Sequence, residues 1–138
     1  MSPVRNYEFI RGIKKRFMEI KRKGISNGVS FQHKQLAAGR WFELTFAEQM
    51  ANVGSEVERT ILWREKNNPD YSSRAFERAL ELLDLTVEDT KNESRLKELL
   101  RTREALVDYF VFDNEFSSSD QLWRNYFYPF NFFARINC

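Results

Sequence analysis

Arg59, Arg103 and Arg124 are the side chains of this sequence best placed to hold an anion, because each lies on or beside an apolar stripe at helical spacing. A guanidinium presents a planar fork of donors that matches a carboxylate or a phosphate. Burying such a group without a partner is costly, so each needs a counter-charge. Two arrangements would supply one. The first is a set of interhelical salt bridges, such as Glu56 or Glu48 with Arg103. The second is a polar cleft in which Arg59, Arg103 and Arg124 hold a group such as phosphate. Other chemistry is poorly provided for. With one histidine, His33, and one cysteine, Cys138, no Cys/His metal cluster can be assembled. Because His33 lies outside the expected bundle, no Ser or Cys nucleophile there has a histidine partner. Neither a G-x-x-x-x-G-K-[ST] loop nor a G-x-G-x-x-G turn occurs. The sequence therefore implies no metal and no cofactor, and it nominates no catalytic residue.

The elements that must carry these arginines are helical. Gly (five) and Pro (three) are scarce in the 138 residues, and apolar residues recur at spacings of three and four rather than two. A first bundle helix is expected over about 35–66, with Phe42, Phe46, Met50, Val53, Val57 and Ile61 on one stripe. Gln49, Asn52, Glu56, Arg59 and Trp63 form a second stripe beside it. The turn NNPD (67–70) ends that helix, and Ser72 or Ser73 is the expected cap of the next, at about 73–88. That helix turns Phe76, Ala79, Leu80, Leu83 and Val87 inward and the acids Glu77, Glu81 and Asp84 outward. A third helix is expected over about 95–112, and Ser118 with Gln121 reads as the capping box of a fourth. The fold class is all-α: an antiparallel four-helix up-down bundle over 35–138, preceded by a basic arm over 1–34 that contains one further helix.

The last helix holds a surplus of rings. Seven of the eleven residues from Trp123 to Phe133 are aromatic. Trp123, Tyr126, Phe127, Phe130 and Phe133 share one face and should point into the core, whereas Tyr128 and Phe132 fall on the opposite side. Pro129 should kink the helix. The surplus rings could meet a second subunit, the N-terminal helix, or bases of a nucleic acid. Trp123, Tyr128 and Phe132 are the interface candidates.

A helical bundle whose last helix carries Arg-Asn before an aromatic stretch, RNYFYPFN (124–131), resembles the HEPN superfamily. The resemblance implies dimers across the last helices and, in ribonuclease members, an Arg-Asn pair followed after four to six residues by a histidine. By that resemblance Arg124 would stabilise a phosphate and Asn125 would support it. The histidine would fall between 129 and 131, where this chain has Pro129, Phe130 and Asn131, so the site would be a degenerate one.

Charge divides the chain. Residues 1–34 carry nine Lys/Arg against Glu8 and Glu19, a net of +7, and the remainder carries thirteen Lys/Arg against eighteen acids, a net of −5. The arm places Ile10, Ile13, Phe17 and Ile20 on a stripe ringed by bases that include Lys14, Lys15 and Arg22. It could lie on the acidic bundle, remain mobile, or contact a nucleic-acid backbone. The apolar runs are far shorter than the ~20 residues of a membrane span, and the expected location is the cytoplasm. The expected function is non-catalytic association, as a homodimer. The alternative is a HEPN-like protein that binds nucleic acid or nucleotides.

Overall fold

A computed structural model describes residues 39–136. The basic arm, with Lys14, Lys15 and Arg22, lies outside the described residues. These are helical with no strand: α1 (Phe46–Glu65), α2 (Pro69–Glu88), a 3₁₀ segment (Thr90–Arg95), α3 (Leu96–Phe110) and α4 (Asp120–Ile136). The all-α class read from the sequence is the observed one.

Contacts between helices give their directions. Ser72 meets Thr60, Arg78 meets Glu56 and Asp89 meets Gln49, so α2 runs antiparallel to α1. Asp120 meets Arg64, Arg124 meets Glu58 and Phe130 meets Phe46, so α4 is antiparallel to α1 on its other flank. α2 and α3 are joined by Asp84 with Arg103 and by Phe76 with Phe110. α3 reaches α4 through Thr102 with Tyr126 and Tyr109 with Asp120. Met50, Val53, Val57 and Ile61 from α1 interlock with Phe76, Ala79 and Leu83 from α2, Leu99, Leu106 and Phe110 from α3, and Trp123 and Phe127 from α4.

Helix boundaries depart from the spacing-based expectation at three N-termini, each for a capping reason. α1 begins at Phe46, not near residue 35. Thr45 accepts from the Glu48 N–H, and the Glu48 carboxylate accepts from the Thr45 N–H, a complete capping box. Before it the chain makes one helical turn at residues 39–41 and then a bend. α2 begins at Pro69, whose missing N–H costs nothing in the first turn, and Asn68 caps it by accepting from the Tyr71 N–H. Ser72 and Ser73 are therefore interior and buried, and Ser72 donates to the Thr60 carbonyl at 2.6 Å. At α4 the cap is Ser119, which accepts from the Leu122 N–H, while the Ser118 N–H donates to the Asn114 side chain. The helix continues through Pro129 to Ile136.

The bend before α1 is held by a buried polar hub. Gln49, with no exposed surface, donates to the Trp41 carbonyl (3.0 Å) and to Asp89 (2.8 Å), and accepts from Asn92 (2.8 Å). Asn92 also donates to the Thr86 carbonyl, and the Trp41 indole N–H donates to the Thr86 hydroxyl. Lys91 closes the rim on Asp89 and the Phe42 carbonyl. Burial alone would raise the Asp89 pKa, but the hydrogen bonds from Lys91 and Gln49 hold the carboxyl below its ordinary value.

Candidate functional site

α4 reaches α1 at a point of unusually close approach. Gly54 is buried against Phe127, and a Cβ on residue 54 would stand 2.8 Å from the Phe127 Cβ and Cγ. Glycine lets the two helices meet, and beside that contact a groove of about 440 Å³ opens between them. Val57, Ile61, Trp123 and Phe127 line its apolar part, with Ser55, Tyr128 and Asn131 along its edge. Arg59, Arg124 and Glu58 supply its charge.

Each predicted arginine is already engaged by a carboxylate. Arg124 grips Glu58 through two parallel bonds of 2.9 Å, and that pairing raises its pKa. Arg59 donates to Glu56 at 2.8 Å, one turn back on its own helix, and Arg78 of α2 meets the other oxygen of the same carboxylate at 3.3 Å. Arg103 sits on the α2–α3 side, held by Asp84 at 2.8 Å. The three-arginine cleft is therefore not formed: Arg59 and Arg124 share a groove and Arg103 does not reach it. The salt-bridge arrangement is the one present, with different partners. Glu48 belongs to the capping box and Glu56 to Arg59 and Arg78, so neither meets Arg103.

Asn125 parts company with Arg124. Its side chain is exposed and accepts from Gln121 at 2.8 Å, while Arg124 turns toward α1. Two neighbours on a helix point about 100° apart, and here they serve different surfaces. Among the described residues no group of three or more His, Cys, Asp or Glu side chains could hold a metal ion, and no helix is long and apolar enough to cross a membrane.

The aromatic residues of α4 divide more unevenly than their spacing suggests. Trp123 and Phe127 are buried, so Trp123 belongs to the core and adds almost nothing to the exposed face of α4. Its indole N–H has no partner. Tyr126 and Phe130 are half-buried. Burial pushes the Tyr126 hydroxyl up to about 12, with the bond to Glu98 acting in the same direction. Tyr128 (68%) and Phe132 (53%) are exposed, as their spacing requires. Phe133, expected in the core, is 54% exposed. The cause is the late start of α1: its first residue, Phe46, already packs on Phe130 at 5.7 Å, so the last turn of α4 has no α1 beneath it.

Sequence reasoning missed Glu58 as the partner of Arg124, and missed Asp89 and Asn92 as a buried hub. The signal for α1 was present in Thr45-Phe-Ala-Glu48, a capping box in the sequence. Compared with models of protein families, with curated proteins and with solved structures, the chain matches none. The HEPN resemblance therefore rests on the helical architecture and on Arg124 and Asn125 alone.

Proposed function

We propose that this protein is a non-catalytic helical bundle that acts by association, pairing with a second copy of itself through the outward face of α4. The observation that carries the reading is the exposure of Tyr128, Phe132, Phe133 and Ile136, each more than half open to solvent on one helix end. A whole aromatic side chain buries about 150–250 Å², so these residues with Leu122 offer roughly 500–600 Å². That equals the largest apolar patches of ordinary monomers, which are often functional. A pair would bury about 1,000–1,200 Å² in all, the low end of specific interfaces. The dimer should accordingly depend on concentration. The arginines on which a nucleic-acid reading would draw within residues 39–136 are each neutralised by a carboxylate, so association is the reading the geometry supports.

The test is molar mass by light scattering after size exclusion, over a range of loading concentrations. A chain of 16.6 kDa should rise toward twice that mass as concentration increases. A constant single-chain mass would defeat the proposal.

A further inference from the structure

Beyond the rings themselves, the outward face of α4 has a period. Leu122, Asn125, Pro129, Phe132 and Ile136 are all exposed and follow one another at intervals of three, four, three and four residues. That alternation is the seam of a two-helix coiled coil, in which the facing positions stay in line along both helices. Tyr128 and Phe133 flank the seam on its two sides, and both are open. The seam is apolar except at Asn125.

We propose that Asn125 fixes the orientation of the pairing, so that two α4 helices lie side by side in parallel with Asn125 against the Asn125 of the second copy. This rests on the association reading above. Two features make residue 125 self-complementary. Its side-chain oxygen is taken by Gln121 (2.8 Å), which leaves the amide N–H₂ as a donor. Its backbone carbonyl would normally accept from the N–H four residues on, and residue 129 is a proline with none to give. Residue 125 thus carries a donor to spare and an acceptor without its helical partner. Under a two-fold axis parallel to the helices, each amide can donate to the other copy's carbonyl, and both needs are met at once. The opposite orientation sets unlike seam positions against each other, so Asn125 faces Pro129 or Ile136, whose side chains can neither accept from the amide nor serve the carbonyl. A single polar residue in an apolar seam selects the arrangement in which it meets itself.

Disulfide trapping decides the orientation. In the full chain carrying Cys138→Ser, Leu122→Cys and Ile136→Cys are made separately, and light scattering first establishes that each variant still pairs. Under mild oxidation each should cross-link with itself within the dimer, and a mixture of the two should give the two homodimers without the mixed product. Asn125→Leu in the same backgrounds should tighten the dimer severalfold and let the mixed product appear, because nothing then penalises the reversed pairing. Residue 125 is exposed, so folding is not at stake. A mixed product, joining position 122 of one copy to position 136 of the other with Asn125 in place, would overturn the parallel arrangement while leaving association standing. Dimers by mass with no cross-link at either position would place the interface elsewhere and overturn the seam. An Asn125→Leu pattern identical to the parent would remove Asn125 as the determinant. A single-chain mass throughout would refute the association reading itself, and the orientation with it.

Discussion

The hub beneath α1 and the outward face of α4 are opposite cases of the same rule. In the hub, Gln49, Asp89 and Asn92 are polar yet buried, and their hydrogen bonds are closed by Trp41, Thr86 and Lys91 within the one chain. On α4, Tyr128, Phe132, Phe133 and Ile136 are large and apolar yet exposed. The first region is complete as a monomer and should report only on folding. On the proposed association the second is not, and it should report on pairing while leaving folding almost untouched.

The largest loss of stability is expected at Gln49. Gln49→Ala removes the donor to Trp41 and Asp89 and the acceptor for Asn92, leaving three buried partners each one hydrogen bond short. The expected loss is about 3 kcal/mol, seen as a lower urea midpoint. A loss under about 1 kcal/mol would mean that water replaces the glutamine and that the hub is not closed.

Gly54→Ala comes next. Alanine gains up to about 1 kcal/mol in helix preference, but its methyl would stand 2.8 Å from Phe127, and overpacking of this kind costs about 1–3 kcal/mol. The net expectation is a destabilisation of about 1–2 kcal/mol by urea denaturation. A stabilised variant would show that α4 can slide away from α1 freely.

The hub should also respond to pH. Asp89 is held below its ordinary value by Lys91 and Gln49 against the opposing effect of burial. Its contribution is therefore fully present above the unfolded carboxyl pKa, about 3.9, and is lost as pH falls through the lower folded value. Asp120, held down by Arg64 and Tyr109 against its own burial, acts with the same sign. Urea midpoints should fall below about pH 4, and Asp89→Asn should flatten that fall. An unchanged slope in the variant would separate Asp89 from the acid response.

Arg124→Ala should cost least among the folding changes, about 0.5 kcal/mol, because both partners of the bidentate pair are about a third exposed or more. A loss above about 2 kcal/mol would make the pair a principal tie between α1 and α4.

Periodicity made the helices legible because burial repeats with the helix turn. Met50, Val53, Val57, Ile61, Phe76, Ala79 and Leu83 all lie where their spacing put them. The surplus of Tyr128 and Phe132 was legible for the same reason. Phe133 was not, because its exposure depends on where a different helix begins, and that is decided by the Thr45–Glu48 box. The partners of Arg59, Arg103 and Arg124 were illegible too. Spacing says which face a charge occupies, but not which of eighteen acids lies across from it. Gln49 was visible as a polar residue beside an apolar stripe. Its partners Asp89 and Asn92 sit forty or more residues away, in a stretch that reads as an ordinary turn.

The most direct measurement is sedimentation equilibrium of the full chain beside its Tyr128→Ala/Phe132→Ala variant, with a urea melt of each. A reversible dimer is expected for the parent and a monomer for the variant, with stabilities, compared under monomeric conditions, that differ by no more than about 0.5 kcal/mol per exposed site. A parent that is monomeric at every concentration, or a variant that pairs as tightly as the parent, would contradict it.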